Sequence, residues 1–422
     1  MDLLLKFKNS PLIKDNFILF IGTMTVNILG FLFHFYVGRK LGPAEYGVFG
    51  AVLAIFFYFT ILLFTIQSGI AKFSADFSSK NDSFKIAFLF KQSLKRLFVF
   101  GIIATISFLI FIPLLASFLD VEKRLLYILS LVIVFAFLLP IIRGLLQGLQ
   151  RFKKLSYTLF FEGITKVLFV VILLNYGLGV DGALLAMIFA WIIPLFFGFY
   201  VLRDFLNKKE EPFETKEIYL YIVPMFLMML MLTGFYTLDV ILVKHFFNNF
   251  DAGLYTALSM IGKILFFGSI SVSQVMFPKV IDAKIRNLDT KKILLKSFLM
   301  VFAFVGPGVI FYFIFSKLIV SIFYGADYLA LVSLVGPFSG FIALFSFVYI
   351  LSFYNIALKR YGFILLLALF VICQAFLIFN YHSSLEQIVN ILIVNMFILF
   401  GILSIYTLIK KDGQSKFSIS SV

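Results

Sequence analysis

Residues 125–142 read LLYILSLVIVFAFLLPII, a stretch of eighteen residues without a charged side chain. A transmembrane helix needs about 20 mostly apolar residues to cross the hydrocarbon core of a bilayer. The stretch therefore predicts a membrane-spanning helix, and the same criterion predicts eleven more. These other spans are 16–37, 47–71, 97–119, 155–174, 183–202, 218–238, 254–277, 297–316, 328–352, 362–379 and 388–409.

The composition agrees with an all-α, polytopic membrane protein of twelve transmembrane helices. Of the 422 residues, 62% are hydrophobic and 14% are charged, whereas soluble domains average about 45–50% and about 25%. This difference excludes a soluble enzyme and a disordered chain. The single cysteine, Cys373, cannot form an intramolecular disulfide.

Common motifs for nucleotide binding and metal binding are absent from the sequence. It contains no G-x-x-x-x-G-K-[ST] phosphate loop, no H-E-x-x-H motif and no cluster of cysteines and histidines. We therefore expect a protein that is not an enzyme, with no catalytic residues, no bound metal and no cofactor.

Positive charge is distributed unevenly between the two sides of the predicted membrane. With the N-terminus inside, the inner segments contain 28 lysines and arginines and the outer loops contain 6. Because cytoplasmic loops carry the excess of Lys and Arg, we expect both termini in the cytoplasm and the protein in the cell membrane. The same asymmetry explains the net charge of +15, so no nucleic-acid partner is expected.

A charged stretch, RDFLNKKEEPFETKE, lies between the sixth and seventh spans. It indicates a boundary between two halves of six spans each. The predicted parts are a cytoplasmic N-tail (1–15), an N-lobe (16–202), a cytoplasmic linker (203–217), a C-lobe (218–409) and a cytoplasmic C-tail (410–422).

The two halves also resemble each other in sequence. Gly47 corresponds to Gly253 within a set of matches at an offset of 206, and residues 148–152 correspond to 357–361 at an offset of 209. An even number of spans per half predicts parallel repeats, as in some transporters. Such repeats would place a substrate site between the halves and permit alternating access.

Lys263 is the most informative charged residue, because it lies about nine residues into the predicted span 254–277. A charge at the bilayer centre costs at least about 2.5–3.5 kcal/mol and usually faces protein or water. Lys263 is therefore a candidate contact for an anionic substrate. The alternative is that it extends towards the membrane surface or pairs with an acid from another helix.

Two further groups of charged residues have two interpretations each. Glu162 and Lys166 are four residues apart, so they line a transport pathway, with Glu162 as a protonatable carboxylate, or they neutralise each other on one helix face. His34 and Arg39 near the outer end of the first span, together with His245, form a basic collar that binds substrate, or they are ordinary interfacial residues.

The remaining candidates are polar residues within or at the ends of spans. Asp239, at the outer end of its span, is a candidate for ion coupling, although a helix-end residue in water is the simpler interpretation. Asn27, Gln67 and Gln274 are candidates for lining a substrate cavity, but hydrogen bonds between helices explain them equally well.

Four segments resemble the polysaccharide transporter family, the Wzx-type oligosaccharide flippases of the MOP superfamily. The segment FYVGRKLGPAEYGVFGAVLAI (Phe35–Ile55) is similar to the signature region of the family. Arg143–Phe152, Leu238–Tyr255 and Ser273–Pro278 resemble three further regions of it. The superfamily also contains MATE drug exporters and lipid II flippases, and two six-helix lobes are its typical fold.

The resemblance implies a function. Members of this branch move a polyprenyl-linked oligosaccharide from the inner to the outer leaflet for polysaccharide biosynthesis, and related flippases carry functional basic residues near the position of Lys263. The phosphate or pyrophosphate of this lipid-linked oligosaccharide explains a basic cavity, because a cation attracts an anion more strongly in a low-dielectric pocket than in water. Expected partners are this lipid-linked oligosaccharide, membrane lipids, and the polymerase and glycosyltransferases of the same pathway.

Two alternatives remain at this stage. The first is a MATE-like, ion-coupled exporter of small organic molecules. MATE exporters commonly carry an acid in the first span, and residues 16–37 contain none. Lipid II flippases typically have two further C-terminal spans, which this sequence lacks. The second alternative is a membrane-embedded polymerase or glycosyltransferase, which would need a long outer loop with catalytic residues.

Overall fold

The computed structural model describes residues 11–409, except for the side chains of 11–21, 63, 216–221 and 268. Within this range the chain is helical and contains no β-strand. The helices are α1 (Pro11–Ser79), α2 (Ser83–Leu119), α3 (Lys123–Gly148), α4 (Phe152–Asn175), α5 (Gly179–Asn207), α6 (Lys216–Phe235), α7 (Leu238–Phe246), α8 (Asn249–Ile285), α9 (Thr290–Ile314), α10 (Ser316–Phe323), α11 (Val332–Ala357), α12 (Phe363–Asn380) and α13 (Leu385–Ile409), with a 3₁₀ helix at Ala326–Leu331.

The first helix contains two of the predicted spans. Its backbone leaves the helical conformation at Gly42 (φ 73°, ψ 173°), immediately before Pro43. Glycine adopts this positive φ without the steric penalty that a side chain would bring. In the described part of the chain, eleven helical segments are long and apolar enough to cross a membrane. Because the first of them is broken at Gly42, the predicted all-α fold of twelve spans is confirmed.

The helices extend beyond the predicted spans. Between the predicted spans 47–71 and 97–119, α1 continues to Ser79 and α2 begins at Ser83. The prediction ended each span where charges begin, although backbone hydrogen bonding continues past the membrane boundary. A second difference is the interruption at 236–237, which separates α6 from α7 within one predicted span.

The predicted linker lies along the beginning of α2. The Lys85 ammonium is 3.1 Å from a Glu211 carboxylate oxygen, and that of Lys91 is 3.4 Å from Glu210. The Phe213 ring packs edge-on against one ring of α1 and one of α2, at centroid distances of 4.6 and 5.4 Å. The linker is therefore held by both charge and aromatic packing.

Contacts between residues divide the chain into two compact units. The first runs to Phe226 and includes Asn248–Gly253, and the second comprises Leu227–Phe247 and the chain from Leu254 onward. In the first unit α1 packs mainly against α3 and α4, and α4 packs against α5. In the second unit α11 packs against α9 and α13. The division into lobes at 203–217 stays a prediction.

Each unit exposes large apolar side chains. In α2, Ile110 and Leu114 are 71% and 66% exposed, and in α9, Met300 and Phe302 are 64% and 63% exposed. Soluble monomers rarely expose contiguous apolar patches of this kind. These helix faces are therefore suited to contact lipid.

Candidate functional site

Asp239 lies in the first turn of α7, in the second unit. Its side chain is fully buried, and the Tyr255 hydroxyl donates a hydrogen bond to its Oδ2 atom over 2.8 Å. Its Oδ1 atom is buried and has no hydrogen-bond partner among the described residues. Burying a carboxylate is costly unless it is paired. Asp239 is therefore a buried acid with one oxygen open to a proton or a small cation, and not a helix-end residue in water.

Lys263, on α8 of the same unit, is the cation that acts on this acid. Its side chain is 3% exposed, and its Nζ atom lies 5.2 Å from the centroid of the Tyr236 ring. The ammonium group and the Asp239 carboxylate attract each other electrostatically. The structure thus brings together two residues that the sequence presented separately. Tyr236 adds a cation–π contact, which desolvation strengthens.

An aromatic cluster adjoins Tyr236, the ring that Lys263 contacts. The rings of Tyr236, Phe345 and Tyr349 lie 5.8, 4.8 and 5.0 Å from that of Phe266. The rings make the environment of Lys263 apolar. Because the dielectric constant is low there, the attraction between charges is larger than in water.

The interruption between α6 and α7 carries further polar atoms. The Gln374 amide donates to the Phe235 carbonyl oxygen over 3.1 Å. Gln374 Oε1 and Thr237 Oγ1 are buried, and neither has a hydrogen-bond partner within the described part of the chain. The break therefore places the Thr237 hydroxyl two residues before Asp239 in sequence and holds Gln374 of α12 at the Phe235 carbonyl oxygen.

A largely buried ion pair lies in the first unit. A Glu162 carboxylate oxygen is 2.6 Å from Arg143 Nη2, and the Trp191 indole donates to the other oxygen over 3.3 Å. The Lys166 ammonium, which the sequence paired with Glu162, is attracted by that carboxylate and lies 4.5 Å from the centroid of the Phe33 ring. Because both oxygens of Glu162 are occupied, this acid is less available for ion coupling than Asp239.

Arg143 is the functional candidate that the sequence analysis missed. The predicted span ends at residue 142, which places Arg143 in the inner segment that follows. The residue lies within α3, is 9% exposed and also donates to the Thr158 carbonyl oxygen over 3.2 Å. Two features of the sequence could have revealed the pair. Arg143 directly follows a long apolar run, and Glu162 lies within the next predicted span.

The residues of the predicted basic collar differ in burial. His34 is buried, with Nδ1 3.4 Å from the Tyr46 hydroxyl and its ring edge-on to Phe33. Arg39 and His245 are exposed. His34 is thus part of an aromatic core, whereas Arg39 lies on the surface of the same unit.

The uncharged candidates occupy three different environments. The Gln67 amide donates to Gln147 Oε1 over 2.9 Å, which joins α1 to α3. Asn27 is half-buried on α1, and Gln274 is exposed on α8. Gln67 therefore fits the interpretation as an interhelical hydrogen bond. In the part of the chain that the structure covers, no group of three or more His, Cys, Asp or Glu residues could hold a metal ion.

Comparisons with known proteins concern the family and the fold of the chain. Residues 12–284, more than half of the chain, match the family described as "Polysaccharide biosynthesis protein". An uncharacterized membrane protein from Methanocaldococcus jannaschii is 27% identical over 289 residues, which is 65% of this chain and 68% of the relative.

Solved structures share the fold. An inward-facing multidrug resistance MATE family transporter of the MOP superfamily has a TM-score of 0.76 at 16% identity, covering 91% of this chain and 94% of that one. The lipid II flippase MurJ in an inward closed conformation has a TM-score of 0.70 at 16% identity, covering 92% and 86%.

Proposed function

Because the chain belongs to the polysaccharide biosynthesis protein family, we propose that it translocates a polyprenyl-phosphate- or pyrophosphate-linked oligosaccharide across the cell membrane by alternating access. The observation that carries the proposal is Lys263, a cation buried in an apolar, aromatic environment within a membrane helix. An anionic group that reaches such a cation is attracted strongly, because little water screens the charge.

Lys263 binds the phosphate of the lipid carrier in this proposal. The glycan follows the phosphate through the protein, and the polyprenyl chain stays in the lipid. No covalent step is needed, so the protein acts as a flippase and not as an enzyme.

Asp239 couples this binding to an ion gradient. While its carboxylate is charged, it competes with the substrate phosphate for the Lys263 ammonium. When Asp239 takes up a proton or a small cation at its open oxygen, that competition ends and Lys263 is released for the phosphate. Coupling of this kind is reciprocal, so the phosphate also favours the ion-loaded form of Asp239.

The orientation follows from the charge asymmetry of the loops. Both termini lie in the cytoplasm, as the excess of lysine and arginine in the inner segments indicates. The substrate then enters from the cytoplasmic leaflet, where its lipid carrier is loaded, and leaves towards the polymerase and glycosyltransferases that consume it.

A MATE-like exporter of small organic molecules is the second candidate. The observation that favours it is the ring cluster of Tyr236, Phe266, Phe345 and Tyr349, since aromatic faces bind organic cations. The Lys263 ammonium already lies over the face of the Tyr236 ring, and its positive charge repels a cationic substrate. An anionic substrate therefore fits this site better.

Native mass spectrometry of the gently extracted protein tests the proposal through the lipids that copurify. We expect a polyprenyl-phosphate glycan on the wild-type protein and its loss in Lys263→Ala. Lys317→Ala, which removes an exposed lysine, is the matched control and should retain the glycan. Ordinary phospholipids alone, together with saturable binding of organic cations by the purified protein, would support the exporter instead.

A further inference from the structure

A groove at one end of the second unit lies outside the site described above. It is formed by the beginning of α9 and the ends of α11 and α13, and it has a volume of about 460 Å³. We call it the lysine groove, because Lys291 and Lys292 line it together with a largely apolar surface. Since the beginning of α9 and the ends of α11 and α13 adjoin predicted inner segments, the groove opens on the predicted cytoplasmic side.

The walls of the lysine groove suit a hydrocarbon chain. Leu295 and Leu408 line it and are each 61% exposed. The Phe298 ring, also in the lining, stacks against Phe347 and Phe400 at centroid distances of 5.1 and 6.4 Å. This stacking gives the groove a firm apolar wall, while its leucines remain open to the surroundings.

The charges of the groove favour an anion. Neither Lys291 nor Lys292 forms an ion pair with any residue that the structure describes, and both side chains are exposed. Asp289, the acid in the lining, accepts a hydrogen bond from the Lys291 backbone N–H over 2.9 Å and so caps α9. The groove thus presents two lysines whose charge its one acid does not balance.

Polar groups lie next to the lysines. Thr407 lines the groove, and its carbonyl oxygen accepts a hydrogen bond from Arg360 over 3.0 Å. Tyr354 also lines it, and its hydroxyl lies 2.8 Å from that of Thr290. The lining of the groove thus combines basic and polar groups with apolar side chains, which suits a lipid with a charged head group.

We propose that the lysine groove binds an anionic phospholipid of the cytoplasmic leaflet, with one acyl chain along Leu295, Phe298 and Leu408 and the phosphate at Lys291 and Lys292. Basic pockets between transmembrane helices on the cytoplasmic side bind anionic head groups through the same chemistry. This lipid is a bound component of the protein and not the transported substrate, and the proposal does not depend on the role of Lys263.

Photo-crosslinking in vesicles tests the inference. The full-length protein is reconstituted with phosphatidylglycerol that carries a photoactivatable acyl chain, and the labelled peptides are mapped. We expect labels on α9, α11 and α13 within the groove and at least a fivefold loss in Lys291→Gln/Lys292→Gln. Lys153→Gln/Lys154→Gln is the matched control, since it removes another exposed lysine pair at the start of a helix, and it should keep the labels.

Three outcomes would overturn the proposal. Equal labelling of the groove by phosphatidylcholine would show that the lysines do not select an anionic head group. Absence of labels from the groove in the wild-type protein would exclude a lipid there. Labels that appear only after deletion of 410–422 would assign the groove to that segment of the chain. The deletion and both lysine variants are compared for thermal stability, so that misfolded protein is not counted.

Discussion

At the residue scale, Asp239 and Lys263 carry the proposed coupling, and Asp239→Asn separates their roles. The amide keeps an oxygen for the Tyr255 hydroxyl but removes the charge that attracts Lys263. We expect the affinity for polyprenyl phosphate to rise about tenfold, which corresponds to about 1.4 kcal/mol, while transport loses its dependence on the ion gradient. Lys263→Ala should lower the affinity by a similar factor.

Binding of polyprenyl phosphate to the detergent-purified variants measures these effects. Asp327→Asn, which removes an exposed acid, is the control and should bind like the wild-type protein. If Asp239→Asn weakened binding as strongly as Lys263→Ala does, the carboxylate would not compete with the phosphate, and the coupling would be wrong.

The pair of Arg143 and Glu162 is largely buried, and its structural role can be measured separately. Removing one partner of such a pair leaves an uncompensated buried charge and costs about 3–5 kcal/mol, whereas replacing both with apolar groups is often neutral. We therefore expect Arg143→Met to lower the midpoint of thermal unfolding in detergent and Arg143→Met/Glu162→Met to restore most of it. A double variant as unstable as the single one would argue against the pair.

Individual residues also show how far sequence reasoning extends. Apolar length identified the spans, and the intramembrane positions of Lys263 and Asp239 made them candidates. Their proximity was not predictable, because it depends on the interruption at 236–237 and on how α7 and α8 pack. Arg143 was misplaced for a related reason, since a charge that is satisfied by another helix looks the same in sequence as a charge in a loop.

At the scale of elements, the break in α1 and the start of α8 depend on each other. The break at Gly42 directs Pro43 towards Gly253, where a Cβ atom would overlap the Pro43 carbonyl oxygen. In the same contact, Gly47 lies against the backbone of Asn249 and Gly253. Gly47 and Gly253 are the residues that correspond in the proposed repeat, and each leaves room for backbone from the other segment.

Gly253→Ala tests this close approach. We expect it to destabilise the protein by about 1–3 kcal/mol, the usual cost of inserting a methyl group into a packed site. Gly340→Ala is the control, because no atom lies within 4 Å of its Cβ position and alanine favours a helix by about 0.5–1 kcal/mol. Equal unfolding midpoints for the two variants would contradict the close packing at Gly253.

At the scale of the whole molecule, the described part of the chain consists of long apolar helices divided between two compact units. Hydropathy predicted the number of these helices because each needs about 20 mostly apolar residues to cross the hydrocarbon core of a bilayer. The helix ends were not predicted, because they follow local hydrogen bonding and caps such as Asp82, which accepts from the Lys85 backbone N–H over 3.0 Å. The proposed function is inferred from the family of the chain, because the helices alone do not specify it.

Leaflet exchange of a polyprenyl-pyrophosphate-linked oligosaccharide in proteoliposomes tests the central claim most directly. The measured quantity is the fraction of labelled lipid that reaches the opposite leaflet with time under an imposed ion gradient. We expect exchange with the wild-type protein and with Lys317→Ala, and at least a tenfold slower rate with Lys263→Ala at equal reconstitution. Exchange by Lys263→Ala at the wild-type rate would contradict the role of the buried lysine in moving the substrate.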